Sequence, residues 1–391
     1  MPGADAEVVV VGGGVVGCAV AHALARRGVR AVLLEAEGAL ALGASGTNSG
    51  ILHTGFDSKP GELETRLILR AAALRGELLA ELGVPTVSCG ARLRPSGAQA
   101  QEIVLALAAN AAVNGVETRL EADGSLRVPG EAVTDPIAFV EALAGAAVGG
   151  GARVCLNARV VAIEREGDGG LVVTIATGTR LRTRAIVNCA GLFADELAAF
   201  AGDRLPEIHP RKGEFLVFAD LPGEPLREIL LPAPSAIGKG VLVFPTLDGY
   251  VLAGPTARER TDKADWSVEP DAAELILARA QRMLPALSGR DPVGAYAGLR
   301  PAGRDANYVI EPSGRVGGLV HVAAIRSTGL SASPAIGEHV AAMLEQQGAI
   351  TLAGERALPA PPPRADPLPW WRRAAARRRG AGGSSAAGRQ R

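Results

Sequence analysis

Residues 8–35 read VVVVGGGVVGCAVAHALARRGVRAVLLE, and this stretch decides the fold. The run Val8–Val11 is continuously apolar, as in a strand buried on both faces, and it ends at three glycines. Apolar residues then recur at helical spacing, and Gly28 stands where a helix C-cap is expected. Residues 31–34 are again apolar, and Glu35 closes them. The stretch therefore predicts a strand, a glycine turn, a helix and a second, parallel strand.

Three glycines in this unit have the spacing of a dinucleotide-binding fingerprint. Gly12, Gly14 and Gly17 follow the pattern G-x-G-x-x-G. These positions allow a tight turn, a close approach of backbone to a pyrophosphate, and close packing of helix on strand. The helix N-terminus then directs unpaired N–H groups at the phosphates, and Glu35 can accept the hydroxyl groups of an adenosine ribose. We therefore predict dinucleotide binding; the alternative is a glycine turn that serves packing alone.

NAD and FAD share this fingerprint, so the next segment must distinguish them. Residues 43–55 read GASGTNSGILHTG, a stretch of small and hydroxyl-bearing side chains just after the second strand. In this stretch the chain resembles the D-amino-acid-oxidase-like superfamily of flavoproteins. More narrowly, it resembles the branch of FAD-dependent glycerol-3-phosphate dehydrogenases and oxidases and L-2-hydroxyglutarate dehydrogenases. The resemblance covers roughly residues 7–345.

The resemblance implies FAD as the cofactor and a set of residues around it. In the superfamily, the first turn and the small-residue stretch hold the pyrophosphate, later strand ends lie against the adenosine, and a second helix start faces the flavin N1/O2 edge. A helix N-terminus suits that edge because reduced flavin carries negative charge there. The implied cofactor-binding residues are Gly12, Gly14, Val15, Val16, Gly17, Glu35, Ala36, Ser45, Gly46, Thr47, Asn48, Ser49, Gly50, Ile51, Val160, Ala190, Gly191, Thr328, Gly329, Leu330 and Ser331.

Oxidation of an alcohol by a flavin requires a base that removes the hydroxyl proton, and His53 is the candidate. It follows the stretch that the resemblance lays along the flavin, and family members carry a histidine here. An imidazole also titrates near neutral pH, which suits a general base. The alternative is a packed histidine without a catalytic role.

An anionic substrate needs fixed cations. Arg300 lies in a segment that the resemblance places over the flavin, and a guanidinium can hold a phosphate or carboxylate through two parallel hydrogen bonds. We count Arg300 with His53 as catalytic, and predict Arg326, Ser327 and Lys239 as further substrate-binding residues. The alternatives are internal ion pairs for the two arginines and an exposed loop position for Lys239.

The strand pattern and the resemblance together predict an α/β protein, α+β overall, with a discontinuous Rossmann-like FAD-binding domain. A second domain, built on a mixed or antiparallel sheet, is expected to cover the substrate. The predicted FAD-binding segments are 1–85, 135–205 and 296–350, and the predicted substrate-binding segments are 86–134 and 206–295. Residues 356–391 are rich in Pro, then Arg, then Gly and Ser, so we predict a disordered basic tail.

The 391 residues carry 41 basic and 41 acidic side chains, but eight arginines lie in residues 364–391. The rest of the chain is therefore acidic and offers no clustered basic face for nucleic acid, so we expect no nucleic-acid partner. No transmembrane segment is predicted, and the tail is expected to be solvated, with peripheral contact to an anionic membrane as the alternative. Four widely spaced cysteines suggest reduced thiols, a cytoplasmic location and no metal site.

Together these features predict FAD-dependent oxidation of a small anionic 2-hydroxy compound by hydride transfer to the flavin. The resemblance favours sn-glycerol-3-phosphate, oxidised to dihydroxyacetone phosphate. L-2-Hydroxyglutarate is the close alternative, since two arginines and a lysine suit a dicarboxylate equally well. An amine or amino-acid oxidase, and a flavin-binding protein without turnover, also stay open because a fold does not fix a function. The electron acceptor, oxygen or a quinone, is not decided by the sequence.

Overall fold

The fold combines β-sheets with helices that pack on their faces, as the predicted α/β class requires. The computed structural model describes residues 6–167, 169–219, 221, 225–233, 240–362 and 368–380. Within these ranges the helices are α1 (Val15–Arg26), α2 (Leu63–Glu81), α3 (Ala98–Val113), α4 (Pro136–Gly149), α5 (Ala194–Phe200), α6 (Pro270–Met283), α7 (Gly329–Gln346) and α8 (Trp370–Gly380), with short 3₁₀ helices at Gly191–Phe193 and Pro285–Leu287. The strands are β1 (Val8–Val11), β2 (Ala31–Leu34), β3 (Ile51–Leu52), β4 (Thr86–Val87), β5 (Ala91–Arg94), β6 (Arg119–Leu120), β7 (Leu126–Val128), β8 (Ala132–Thr134), β9 (Arg153–Cys155), β10 (Val160–Arg165), β11 (Leu171–Ile175), β12 (Arg180–Thr183), β13 (Ala185–Asn188), β14 (Ile208–Phe218), β15 (Ile229–Pro232), β16 (Leu242–Pro245), β17 (Val251–Gly254), β18 (Arg258–Glu259), β19 (Gly294–Gly303), β20 (Val309–Pro312) and β21 (Leu319–Ala323).

The glycine fingerprint follows the central strand of a sheet that has six strands within the described residues. Their order is β20-β21-β13-β1-β2-β9, and every neighbouring pair is parallel except β20 with β21. Val8 and Val10 of β1 pack in the helical core, while Val9 and Val11 pack against β10 and β11 on the opposite face. This two-sided burial explains the unbroken apolar run. The carboxyl ends of β1, β2 and β13 meet at one edge, where ligands bind in such sheets.

Helices α1, α4 and α7 form the layer on one face of this sheet. A Cβ at Gly337 of α7 would lie 2.5 Å from the carbonyl oxygen of Ala19, so α7 and α1 approach through backbone. Asp135 caps α4 by accepting hydrogen bonds from the N–H groups of Ile137 and Ala138. The starts of α1 and α7 are therefore held in fixed positions beside the carboxyl edge of the sheet.

A second, mixed sheet has nine strands within the described residues. Its path is β18-β14-β17-β16-β15-β5-β7-β6, and β19 pairs with β14 along ten residues. The pairs are antiparallel apart from β15 with β5. Phe215 faces the main core with Tyr296, whereas Leu216 and Phe218 face α6 on the other side. The predicted fold class, α/β with a mixed second sheet, is confirmed.

A small sheet with the order β3-β8-β4 joins segments that are distant in sequence. Leu52 at the end of β3 pairs with Ala132 at the start of β8, and the two strands are antiparallel. The residues just beyond this pair, one after Leu52 and one before Ala132, consequently face each other. Those two residues are His53 and Glu131.

The sheets bear on the predicted division into two domains, which stays a prediction. All strands of the six-stranded sheet come from segments assigned to the FAD-binding domain. Strand β19, however, spans Gly294–Gly303 and pairs with β14 of the larger sheet, although most of it was assigned to the FAD-binding segment 296–350. The register of this strand is set by its partner β14, and that pairing is not encoded locally.

The C-terminal region differs from the expected disordered tail. Helix α8 buries Trp370 and Trp371, which are 2% and 4% exposed. The Trp370 ring centroid lies 5.5 Å from that of Tyr296, and the Trp371 centroid lies 5.1 Å from that of Tyr250. Two adjacent indoles bring enough apolar area to anchor a segment whose average composition is polar. The prediction of disorder for 356–391 is wrong for residues 368–376, and residues 356–362 also contact the rest of the protein, since Arg356 donates to the carbonyl oxygens of Ala25 and Gly150. Residues 363–367 and 381–391 lie outside the described residues.

Two further expectations concern the environment of the protein. Among the described residues, no helix has the length and apolar character needed to cross a membrane. The four cysteines are unpaired, and burial raises the pKa of Cys18 and Cys189. Both buried thiols are therefore protonated and unreactive.

Candidate active site

A cavity of about 1510 Å³ is lined by residues from both large sheets. Pockets for drug-sized ligands measure roughly 300–1,000 Å³, so this one has room for an extended ligand and a second small molecule. Twenty-one of the residues on its wall were predicted from the sequence: Gly12, Gly14, Val15, Val16, Glu35, Ala36, Ser45, Thr47, Asn48, Ser49, Ile51, His53, Val160, Ala190, Gly191, Arg300, Arg326, Ser327, Thr328, Gly329 and Leu330.

Two fingerprint glycines are required by backbone contacts. Gly12 has φ +116°, and a Cβ there would lie 2.3 Å from the carbonyl oxygen of Cys189 on β13. A Cβ at Gly17 would lie 1.9 Å from the carbonyl oxygen of Gly12. Gly17 does not line the cavity; it lets α1 start close against the loop. The glycine turn is therefore fixed by sterics at its first and third positions.

The stretch 43–55 closes over the start of α1. The Ser45 hydroxyl accepts a hydrogen bond from the N–H of Val15 at 2.9 Å. Gly46 and Gly50 do not line the cavity: Cβ atoms there would lie 2.2 Å from the Ala41 carbonyl oxygen and 2.4 Å from the Thr134 carbonyl oxygen. These two predicted cofactor-binding residues therefore fix the path of the segment, and the residues next to them line the cavity.

Glu35 lies where the sequence predicts a ribose-binding carboxylate. Its Oε2 accepts a hydrogen bond from the N–H of Gly13 at 2.6 Å, and its Oε1 accepts one from the N–H of Glu37 at 2.9 Å. The carboxylate is thereby held at the end of β2 beside the glycine turn. Val160 and Ala190 line the cavity as well.

The turn that begins α7 also forms part of the cavity wall. Asn48 donates a hydrogen bond to the carbonyl oxygen of Ser327 at 3.3 Å and so ties the small-residue stretch to this turn. Ser331 is buried and does not line the cavity; its Oγ accepts a hydrogen bond from the N–H of His53 at 2.8 Å. A Cβ at Gly298 of β19 would lie 2.9 Å from the Thr47 carbonyl oxygen. Two side-chain hydrogen bonds and one close backbone approach thus bring the three segments together.

His53 has a buried partner that the sequence analysis missed. Its Nδ1 lies 2.9 Å from Oε2 of Glu131, and the two side chains are 13% and 0% exposed. The other oxygen, Oε1, accepts hydrogen bonds from the N–H and the hydroxyl of Thr54 at 2.7 and 2.8 Å. Burial acts to raise the pKa of Glu131, but the charge and hydrogen bond of His53 and the two bonds from Thr54 outweigh it, so the pKa lies below its ordinary value.

Arg75 of α2 holds the two strands that carry this pair, and it too was missed. Its guanidinium donates to the carbonyl oxygens of Leu52 and Gly130, each at 2.8 Å, and to that of His53 at 3.3 Å. Burial lowers the pKa of Arg75, and the charge of Glu131 opposes that shift. A sequence signal for either residue would require knowledge of the pairing between β3 and β8.

Arg300 is a partly buried cation on the cavity wall. It donates to the carbonyl oxygens of Arg211 and Thr256, both at 3.2 Å, and within the described part of the chain no carboxylate pairs with it. Burial lowers its pKa to about 10, the charges of Arg211 and Arg326 act in the same direction, and Glu259 opposes them. A partly buried guanidinium held by carbonyl groups alone is suited to an anionic ligand.

The remaining predicted substrate residues are placed only in part. Arg326 lines the cavity and donates from Nε to Oδ1 of Asn307 at 2.9 Å; Ser327 lines the cavity beside it. Asn307 and Thr328 in turn both donate to Glu64 at the start of α2. Lys239 lies outside the described residues. Arg211 also lines the cavity, next to Arg300 in the pairing of β14 with β19, and its Nε pairs with Glu259 at 3.3 Å. Arg211, Arg300 and Arg326 are thus three of the arginines on the cavity wall.

Residues 7–343 match the family described as FAD dependent oxidoreductase, DAO. The chain belongs to the DAO family. The predicted family resemblance and the predicted FAD cofactor are thereby confirmed.

Relatives within the DAO family narrow the reaction class. The chain is 31% identical to the glycerol 3-phosphate dehydrogenase of Caloramator mitchellensis, over 87% of this chain and 74% of that protein. It is 29% identical to the glycerol 3-phosphate oxidase of Mycoplasma pneumoniae, over 84% and 92%. The solved L-α-glycerophosphate oxidase of the same organism, with FAD bound, has a TM-score of 0.83 at 27% identity and covers 90% and 96%. This DAO-family chain is an FAD-dependent oxidoreductase that acts on a CH–OH group.

Other relatives are more distant. The L-2-hydroxyglutarate dehydrogenase of Escherichia coli K12 is 27% identical over 69% of each chain. The glycine oxidase of Geobacillus kaustophilus has a TM-score of 0.78 at 23% identity, over 87% and 95%, which shows a shared fold.

Proposed function

We propose that this enzyme oxidises sn-glycerol-3-phosphate to dihydroxyacetone phosphate, with His53 as the base and Arg300 as the anion-binding residue. One observation carries the proposal. An imidazole tied to a buried carboxylate and a partly buried guanidinium without a carboxylate partner in the described residues line the same cavity. The first suits removal of a hydroxyl proton, and the second suits a phosphate.

The residues present fit FAD. A Cβ at Gly12 would overlap the backbone of Cys189, and the missing side chain leaves the turn open for a pyrophosphate. Glu35 would hold the ribose, the stretch that includes Ser45 and Asn48 would lie along the cofactor, and the start of α7 would face the flavin. When bound, FAD supplies the acceptor for the hydride that leaves the carbinol carbon.

His53 removes the hydroxyl proton in this proposal. Because Nδ1 is engaged with Glu131, Nε2 is the ring nitrogen that accepts the proton. The C–H bond of the same carbon breaks as a hydride, so the alcohol loses two electrons and two protons in total and becomes a ketone. The imidazolium that results is stabilised by the carboxylate of Glu131.

Arg300 binds and orients the phosphate. Its guanidinium is fixed by two carbonyl groups, so little side-chain entropy is lost when an anion binds. Arg211 and Arg326 add positive charge on the same wall, and Lys239 and Ser327 stay predicted contributors. An oriented phosphate would place the neighbouring hydroxyl carbon beside His53.

L-2-Hydroxyglutarate is a second candidate because of the three arginines. Arg211, Arg300 and Arg326 together could hold two carboxylates. One experiment separates the candidates. Glycerol-3-phosphate, L-2-hydroxyglutarate and glycine are each added anaerobically to the enzyme, and flavin reduction is measured as the loss of its yellow absorbance. We expect glycerol-3-phosphate to bleach the flavin fastest; faster bleaching by another compound, or none by glycerol-3-phosphate, contradicts the proposal.

The electron acceptor is proposed to be oxygen or a quinone, and the cytoplasmic location stays a prediction. Admission of air to the reduced enzyme distinguishes the acceptors. Stoichiometric hydrogen peroxide identifies an oxidase. Slow reoxidation by air combined with rapid reoxidation by a soluble quinone identifies a dehydrogenase.

A further inference from the structure

The pairing of His53 with Glu131 is built into the small sheet. The two residues follow and precede the register pair Leu52 and Ala132, so the backbone sets their approach. Arg75 locks that register by donating to carbonyl oxygens on both segments. The Glu131 side chain is fully buried, and Arg75 holds both segments in place. Neither feature is expected of a chance contact at the surface.

We propose that Glu131 is a positioning residue that fixes the tautomer of His53, so that Nδ1 carries the proton and Nε2 is free to act as the base. The proposal rests on the proposed role of His53 in alcohol oxidation. Glu131 does not line the cavity and so does not touch the substrate. It acts through the 2.9 Å contact between its Oε2 and Nδ1 of His53.

The ionised form of Glu131 is what makes it an acceptor. Among its three partners only the N–H of Thr54 is an obligatory donor. The Thr54 hydroxyl and His53 Nδ1 can each donate or accept, and both must donate when Glu131 is a carboxylate, as its lowered pKa favours. The other titratable groups that face the pair are Arg75 from α2, the Cys89 thiol from the loop before β5, and Asp57, which shares a small apolar space with His53. Arg75 is the cation among them, and it favours the carboxylate.

Replacement of Glu131 by glutamine should invert the tautomer. The N–H of Thr54 can only donate, so the amide oxygen of glutamine must stay on the Thr54 side. The amide NH₂ group then points at Nδ1 of His53 and donates to it. Nδ1 becomes the acceptor, the ring proton moves to Nε2, and the position that must accept the substrate proton is blocked.

The test compares Glu131→Gln and Glu131→Asp with the wild-type enzyme loaded with FAD. Stopped-flow flavin reduction by glycerol-3-phosphate is measured as a function of pH. For Glu131→Gln we expect the maximal rate to fall roughly 10²- to 10⁴-fold with the apparent substrate dissociation constant little changed. Its half-maximal pH should move to lower values, because the imidazolium loses its anionic partner. Glu131→Asp keeps a carboxylate and should retain the wild-type pH profile with a smaller loss of rate.

A second readout is independent of turnover. Selective ¹⁵N labelling of histidine reports which ring nitrogen of His53 carries the proton, and His53→Gln assigns the signal. We expect the proton on Nδ1 in the wild type and in Glu131→Asp, and on Nε2 in Glu131→Gln. A wild-type protein with the proton on Nε2 overturns the proposal even if Glu131→Gln fails to fold.

Asp203→Asn is the matched control. Asp203 pairs with the buried His321 at 3.2 Å, and neither residue lines the cavity. This variant removes a carboxylate from a histidine of similar burial and should leave the reduction rate and its pH profile unchanged. If glycerol-3-phosphate reduces wild type and Glu131→Gln equally fast, the positioning role is refuted while the proposed function stands. If no substrate reduces the wild type, the proposed function fails and the tautomer measurement still decides the role of Glu131.

Discussion

At the scale of single residues, two side chains on the cavity wall have uncommon hydrogen-bond partners. Arg300 is bonded to two carbonyl oxygens, and His53 is bonded to a carboxylate that solvent does not reach. Both arrangements have an energetic cost. They differ from the buried pair of Asp203 with His321 in that His53 and Arg300 line the cavity where chemistry is proposed to occur.

The first residue-scale prediction concerns Arg300→Met. Loss of a charged hydrogen-bond donor costs about 1.5–3 kcal/mol, so kcat/KM for glycerol-3-phosphate should fall roughly 10- to 100-fold, mainly through KM. Steady-state kinetics measure the change. Arg304→Gln is the control, since Arg304 is exposed and pairs with Glu207. An unchanged KM in Arg300→Met would show that the anion binds elsewhere.

The second residue-scale prediction concerns Gly12→Ala. The new Cβ would lie 2.3 Å from the Cys189 carbonyl oxygen at a φ of +116°, so the loop must move and FAD binding should be lost or weakened at least tenfold. The ratio of flavin to protein absorbance after purification reports this. Gly314→Ala is the control because nothing lies within 4 Å of that position. Full flavin occupancy in Gly12→Ala would argue against a pyrophosphate at this turn.

At the scale of elements, sequence prediction succeeded where the signal is local. Strand β1, helix α1 and strand β2 each carry their own periodicity, so the unit that holds the dinucleotide could be predicted. Strands β3 and β8 have two and three residues, too few for any period, and their pairing spans about eighty residues of chain. His53 could therefore be predicted from its motif, but its partner Glu131 could not.

Helix α8 was missed for a different physical reason. Its arginines lower the average hydropathy of the segment, while the two tryptophans that bind it to the sheet are adjacent and so show no helical period. Burial of the tryptophans depends on Tyr250 and Tyr296, which the sequence alone does not bring together.

The element-scale prediction concerns the anchoring of α8. Trp370→Ala should destabilise the protein by about 3 kcal/mol, because truncation of a buried tryptophan typically costs 3–5 kcal/mol. Chemical denaturation measures the free energy of unfolding. Arg372→Gln on the exposed side of the same helix should cost far less. Equal stability of Trp370→Ala and wild type would show that α8 does not dock in solution.

At the scale of the whole molecule, buried titratable groups set the response to acid. His22 in α1 is buried, and burial, aided by the charge of Arg26, lowers its pKa to about 4. Since the folded pKa is depressed, the unfolded chain binds the proton more readily. The stability that depends on neutral His22 is present above about pH 6.5 and is lost as the pH falls toward 4.

The whole-molecule prediction concerns the loss of stability at acidic pH that the depressed pKa of His22 implies. Between pH 7 and pH 4.5 the wild type should lose stability, with His22 contributing at most about 3 kcal/mol, and His22→Leu should lose less. Thermal unfolding at both pH values measures the difference. His339→Gln is the control, since His339 is less buried and its depressed pKa should matter less. An identical pH response in His22→Leu would assign acid sensitivity to other groups, of which Glu131 is one.

The contact of Gly298 with Thr47 has a consequence for how this enzyme can change. Strand β19 carries Arg300, the proposed anion-binding residue, and it meets the segment 43–55 so closely that a Cβ on Gly298 would lie 2.9 Å from the Thr47 carbonyl oxygen. The distance between Arg300 and the proposed flavin position is therefore set by two polypeptide backbones. During evolution toward new substrates, the side chains around Arg300 can change, while the distance over which a hydride must be transferred stays the same.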